Sequence, residues 1–160
     1  MNLLQIRNLS VTYRCGPNEV RAVDGVDLDV GTGEVVGLAG ESGCGKTTLA
    51  LAIAQLLPRG TEVRADRIRL GETDLLTVDA ESLRRLRWSR LSMVFQGAMN
   101  GFNPVMPIGT QIAEAIRTHR PRTGKREIRA RVAELLGEVG IAGGRAADYP
   151  HQFSGGMKQR

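Results

Sequence analysis

The chain has 160 residues, enough for one domain with its own core on a prior of roughly 100 to 200 residues per domain. Hydrophobic residues make up 41% and charged residues 24%, which excludes a chain dominated by disorder. A net charge of +5 raises nucleic acid as a partner, yet the charge is spread along the chain, and no nucleic-acid partner is expected.

The basic residues fall in two regions. Arg84, Arg85, Arg87 and Arg90 surround one short segment, and the run from Arg117 to Arg131 is interleaved with Glu114, Glu127 and Glu134. Both read as solvated helix faces. No stretch approaches the roughly 18 uninterrupted apolar residues of a membrane span, and the opening residues lack the basic-then-apolar order of a signal peptide. The expectation is a chain of cytosolic character. Cys15 and Cys44 show no metal-ligand spacing, so two reduced thiols are expected rather than a zinc site or a disulfide.

In chain order, Leu4-Ile6 and Leu9-Val11-Tyr13 alternate, and Val26-Leu28-Val30 follows after a polar turn. These predict antiparallel strands with one wet face. The turn Gly31-Thr32-Gly33 leads to a continuous apolar run, Val35-Val36-Gly37-Leu38-Ala39, which predicts a strand buried on both faces. Beyond a glycine-rich loop, Leu49, Ile53, Leu56 and Leu57 recur at helical spacing until Pro58-Arg59-Gly60 stops them. A strand is expected around Ile68-Leu70, a short helix over about Ala80 to Arg87, and another strand from Leu91 to Phe95. From Gly97 to Pro107 the chain is turn-prone. Ile108, Ile112 and Ile116 then share one helical face, and Ile128, Val132, Leu135, Leu136 and Val139 share another. The boundary is placed near residue 97, giving an α/β core over residues 1–96 and a helical subdomain over residues 97–160.

The segment Gly40-Glu41-Ser42-Gly43-Cys44-Gly45-Lys46-Thr47-Thr48 matches the phosphate-loop pattern G-x-x-x-x-G-K-[ST]. Glycines at 40, 43 and 45 let the backbone take positive φ and wrap closely round an anion. Amides of the loop and of the next helix's first turn point at phosphate, where the helix dipole adds partial positive charge. Lys46 is expected to reach the β- and γ-phosphates of ATP, Thr47 to offer its hydroxyl to Mg2+, and Thr48 to support the α- or β-phosphate. The motif alone defines a phosphate-loop NTPase and leaves kinases, GTPases, helicases and transporters open.

Two further phrases narrow the class. Residues 93 to 109, Met-Val-Phe-Gln-Gly-Ala-Met-Asn-Gly-Phe-Asn-Pro-Val-Met-Pro-Ile-Gly, resemble the Q-loop region of ABC ATPases of peptide and nickel importers. Tyr149-Pro150-His151-Gln152-Phe153-Ser154-Gly155-Gly156-Met157-Lys158-Gln159-Arg160 resembles the ABC signature in the same subgroup. The resemblance implies that Gln96 ligates Mg2+ or the attacking water, and that Ser154, Gly155 and Gly156 face the γ-phosphate of ATP held by a second ATP-binding subunit. It also implies that Tyr13 stacks on adenine. Implied partners are that second subunit, transmembrane permease subunits and, indirectly, an extracytoplasmic solute-binding protein. The implied place is peripheral, on the cytoplasmic face of the membrane, driving import of peptides or a related solute such as nickel.

Gly97-Ala98 replaces the family's usual acidic-Pro pair, Gly101 a serine and Phe153 a leucine, with effects expected on loop stiffness and coupling. In the family a Walker B strand, a catalytic glutamate and a switch histidine follow the signature, and residues 1–160 contain none of them. The fold is therefore expected to lack its C-terminal strands, with little ATP hydrolysis by these residues alone. Two other readings stand beside this one. A nucleic-acid-related phosphate-loop ATPase fits the +5 charge but not the Q-loop phrase, and a non-catalytic module would hold ATP without turning it over.

Overall fold

A computed structural model describes residues 2–95, 97 and 101–160. Two compact units are present, Met1–Ser92 and Met93–Arg160.

The first unit is built on a long antiparallel hairpin, β1 (Asn2–Cys15) and β2 (Asn18–Gly31). The two alternating runs at the start of the sequence belong to a single strand, in which apolar parity slips from even (Leu4, Ile6) to odd (Leu9, Val11, Tyr13). That slip marks an irregularity in the ladder, where Ile6 pairs with Leu28 and Leu9 with Val26. Asn8 absorbs the extra residue at φ 53°, and its N–H donates to Asp27 Oδ1 at 2.7 Å. A one-residue shift turns every following side chain over. The bulge therefore keeps Ile6, Leu9 and Val11 all on the core side, each fully buried.

Strands β3 (Glu62–Arg64) and β4 (Arg67–Leu70) both pair with β1, and β5 (Thr73–Asp74) closes the order β2-β1-β4-β5. Ile6 faces Ile68 and Leu4 faces Leu70 across the ladder. Helix α1 (Lys46–Ile53) lays Leu49 and Ala52 on this sheet, completing a core with Ile6, Leu9, Val11, Val23 and Ile68.

Three expectations are corrected here. Residues 35 to 39 form no strand, and Val35 is 96% and Leu38 52% exposed. Apolarity alone suggested a central strand, but such a strand needs a paired ladder on both edges, and no described strand lies alongside it. Leu91 to Phe95 likewise contributes only an isolated bridge between Leu91 and Arg87, leaving Val94 91% exposed. Helix α1 stops at Ile53 rather than running to Pro58. Gln55 turns left-handed at φ 55°, and Leu56 N–H reaches back to Leu51 C=O at 2.8 Å in a Schellman-type close. The Arg87 guanidinium donates to the carbonyls of Ala54 and Gln55, satisfying acceptors at that helix end. Arg87 lies in α2 (Ala80–Ser89), which Asp79 caps through bonds from the amides of Glu81 and Ser82 at 3.0 and 2.9 Å.

The second unit is helical. α3 (Ile108–His119) and α4 (Lys125–Glu138) pack through Ile108, Ala113, Ile128, Val132 and Leu136. Two 3-10 turns, Gly143–Ala147 and Pro150–Gln152, then lead into the short helix α5 (Gly155–Gln159). Close approaches fix these turns: a Cβ at Gly109 would stand 2.7 Å from Ala146 O, and one at Gly143 2.7 Å from Ala133 Cβ.

Candidate functional site: a phosphate loop and a capped signature segment

The glycine-rich loop ends where α1 begins. Gly43 and Gly45 take φ of 84° and 93°, a region that side chains penalise. Gly45 carries a second constraint, because a Cβ there would collide with Ala22 O of β2. The hairpin thus sets the position of the loop's last turn. Gly40 closes the other side, where a Cβ would lie 2.7 Å from Cys44 Sγ.

Lys46 is the first residue of α1, and no side chain caps the helix start at Gly45. The first amides of a helix have no intrahelical acceptor, so this end presents donors together with the positive end of the helix dipole. The Lys46 ammonium folds back over its own loop, donating to Gly40 O at 2.8 Å and Glu41 O at 2.5 Å, with Cys44 Sγ 3.3 Å away. Glu41, Ser42 and Cys44 are exposed, as is Thr47. Thr48 is buried, and its Oγ1 accepts a hydrogen bond from the Tyr13 hydroxyl at 3.2 Å. Positive-φ glycines, an uncapped helix start and an ammonium on a long stem at one point fit an anionic phosphate group. For a divalent cation the loop offers the exposed Thr47 hydroxyl. Among the described residues no cluster of three or more His, Cys, Asp or Glu side chains could hold a metal ion, so the remaining ligands would have to come from the nucleotide's own phosphates.

In the helical unit, Ser154 N-caps α5, its Oγ accepting from Met157 N–H at 3.3 Å. Arg145 organises the segment before it. Its guanidinium pairs with Asp148 at 2.7 Å, donates to Gln152 O at 2.9 Å, and lies 4.3 Å over the ring of Phe153, which is buried. Tyr149 N–H donates to Gln152 Oε1 at 2.7 Å, and the Tyr149 and His151 rings stack. Gly155 and Gly156 open α5, and a Cβ added at either would meet nothing within 4 Å. Gln96, expected to ligate Mg2+ or water, lies outside the described residues.

Sequence reading missed three contributors: the Ala22 carbonyl against Gly45, the Tyr13–Thr48 hydrogen bond, and Arg145. The first two join residues remote in sequence and left no local signal. The third had one, the Arg-x-x-Asp spacing of Arg145 and Asp148.

A strand hairpin feeding a glycine-rich loop and helix, followed by a helical unit ending in a Ser-Gly-Gly cap, has the organisation of an ATP-binding cassette. The chain belongs to the ABC transporter family, whose pattern it matches over residues 23–160. It is similar to the oligopeptide transport ATP-binding protein OppD of Mycobacterium tuberculosis, at 43% identity over 99% of this chain and 26% of that protein. It is also similar to a putative peptide import ATP-binding protein of Brucella ovis, at 45% identity over 99% of this chain and 49% of the relative. The dipeptide transport ATP-binding protein DppD of Haemophilus influenzae is 41% identical over 100% of this chain and 49% of its own length. The chain thus spans between about a quarter and a half of these relatives. Among solved structures it resembles the dimeric, post-hydrolysis ATP-binding cassette MJ0796 bound to ADP and Pi, with a TM-score of 0.72, 26% identity, and coverage of 98% of this chain and 65% of that one. The fold is that of an ABC ATPase cassette, with the antiparallel strands and the helical unit in place.

Proposed function

We propose that this chain is the ATP-holding part of an ABC importer subunit that takes up peptides or a related solute such as nickel. The observation that carries the reading is the loop from Gly40 to Thr48, whose last glycine is held against Ala22 O and whose Lys46 ammonium rests on two loop carbonyls. Those carbonyls keep the cation at the loop until phosphate oxygens, which are stronger acceptors, replace them.

In this reading the amides of Gly43, Cys44, Gly45, Lys46 and Thr47 surround the phosphates, and Lys46 neutralises the β- and γ-phosphates. Thr47 and Gln96 hold Mg2+, and Tyr13 stacks on adenine while its hydroxyl supports Thr48. When bound, Mg2+ supplies charge neutralisation between the phosphates. Residues 1–96 carry these groups, and residues 97–160 carry the coupling loop and the signature. Ser154, Gly155 and Gly156 face the γ-phosphate of ATP on a second ATP-binding subunit, so that two nucleotides are sandwiched in a dimer. That relatives carry peptide and dipeptide transport names supports the substrate class.

The dimer drives transmembrane permease subunits from the cytoplasmic face, with a solute-binding protein acting indirectly outside. No helix among the described residues is long and apolar enough to cross a membrane. The test is thermal unfolding with and without Mg-ATP, with Lys46→Ala as control. A midpoint raised by Mg-ATP in the parent and unmoved in the variant supports the reading, since a ligand that binds only the native state stabilises it. Equal shifts in both would overturn it.

A further inference from the structure

The second unit carries a concentrated positive surface that its own fold does not use. Arg117, Arg120, Arg122, Lys125, Arg126 and Arg129 are all exposed at the turn between α3 and α4. Among the described residues no ion pair joins any of these six to a carboxylate. Several arginines elsewhere are paired, Arg7 with Asp29, Arg84 and Arg85 with Glu81, Arg131 with Glu134 and Glu138, and Arg145 with Asp148, while the arginines without an ion pair among the described residues of the first unit, such as Arg59, Arg67 and Arg90, are not gathered at one turn. The interleaved glutamates leave the turn strongly positive: Glu134 pairs with Arg131, beyond the six, and Glu127, exposed in the first turn of α4, offsets only one of the six charges.

Helix stability does not account for these residues either. Arg117 suits the last turn of α3, but Lys125 and Arg126 open α4, where the helix dipole disfavours cations and Gly124 gives no side-chain cap. Like charges crowded at one turn repel one another, and an external polyanion relieves that repulsion. From 117 to 131 the sequence has no Phe, Tyr or Trp, and its single large apolar residue, Ile128, is buried. Its one aromatic ring is the His119 imidazole, so the stretch lacks the Phe, Tyr or Trp platform on which successive single-stranded bases stack, and it offers no apolar wedge. What remains is a broad, purely electrostatic contact of the kind that juxtamembrane basic clusters make with acidic headgroups.

We propose that the α3–α4 turn binds directly to the anionic surface of a lipid bilayer, adding a contact of its own to any held through a permease. The choice of lipid over other polyanions rests on the peripheral-membrane reading above. The contact holds the helical unit against the headgroups without inserting into them, so it is reversible and sensitive to salt.

Sedimentation with phosphatidylglycerol-containing vesicles, against vesicles of phosphatidylcholine alone, tests this with the full 160-residue chain. The chain should pellet with the acidic vesicles at low ionic strength and be released by salt. A variant with Arg120→Gln, Arg122→Gln, Lys125→Gln and Arg126→Gln should bind more weakly by roughly three orders of magnitude. Arg84→Gln with Arg85→Gln, which alters paired arginines, should bind as the parent does. Equal pelleting with neutral vesicles, an unaffected quadruple variant, or tighter binding to duplex DNA at the same salt would each overturn the proposal. Mg-ATP stabilisation measured on the same variants separates the two readings: its loss in every chain alongside intact vesicle binding removes the nucleotide reading and leaves this one.

Discussion

The Tyr13 hydroxyl donates to Thr48 Oγ1 at 3.2 Å, tying the end of the first long strand to the first turn of the phosphate-loop helix. Tyr13 and Thr48 are 35 residues apart, and the bond fixes the rotamer of a threonine that is buried beside the loop. Tyr13→Phe should therefore cost about 0.5 to 1.5 kcal/mol of stability while leaving an aromatic face for adenine. Denaturant unfolding measures the first effect and Mg-ATP stabilisation the second. Tyr13→Ala should lose both, and an alanine variant that keeps full ATP stabilisation would remove Tyr13 from the nucleotide site.

Gly45 and Gly43 share a left-handed backbone but differ in surroundings. A Cβ at Gly45 runs into Ala22 O, whereas one at Gly43 meets nothing within 4 Å. Gly43→Ala should cost about 1 to 2 kcal/mol from backbone strain alone. Gly45→Ala should cost clearly more and abolish Mg-ATP stabilisation, because either β2 or the loop has to move. Comparing the two midpoints tests whether the hairpin positions the loop.

Arg145 makes an ion pair, a backbone hydrogen bond and a ring contact within one segment. Arg145→Lys keeps the charge but loses the planar fork and the stacking, so it should lower the unfolding midpoint nearly as far as Arg145→Met. A loss of about 2 to 3 kcal/mol is expected for Arg145→Met, since both Asp148 and Gln152 O then lose a charged donor. Circular dichroism of the two variants decides whether the geometry or the charge holds the segment ahead of Ser154.

Acid should weaken the first unit through identifiable carboxylates. Hydrogen bonds from the Ser82 side chain and amide hold Asp79 below its ordinary pKa, Arg84 does the same for Glu81, and Arg64 followed by Arg14 for Glu62. A depressed folded pKa gives stability that is fully present above the unfolded value and is lost as pH falls through the folded one. Stability should thus be level near neutrality with respect to these groups and decline on the acid side of roughly pH 4. Asp79→Ala should flatten part of that decline in an acid titration followed by circular dichroism.

Hydrophobic periodicity was enough to find the hairpin and both long helices. Leu4 and Ile6 before the slip, and Leu9, Val11 and Tyr13 after it, alternate as a half-buried strand must, and Ile108-Ile112-Ile116 repeats as a helix face must. The same rule failed at Val35–Ala39 and at Leu91–Phe95, where the residues suit a strand but the described chain supplies no ladder partner. A continuous apolar run states a preference for burial, while pairing depends on other segments. The end of α1 was misjudged for a related reason, because Arg87, far along the chain, caps it at Ala54 and Gln55.

By itself the sequence determined the local features on which the proposed phosphate binding rests. Spacing of Gly40, Gly43, Gly45, Lys46 and Thr47 is a local property, and the positive φ that Gly43 and Gly45 adopt needs only short-range backbone freedom. Ser154 as a helix cap is local for the same reason, a side chain reaching an amide three residues on. Only the tertiary structure decided what fixes these pieces: Ala22 against Gly45, Tyr13 on Thr48, and which arginines find a carboxylate among the described residues and which, at the α3–α4 turn, do not. Each depends on distances between residues brought together by the burial of Ile6, Leu9 and Ile68 in one unit and of Ile128 and Val132 in the other, and a linear sequence does not carry distances.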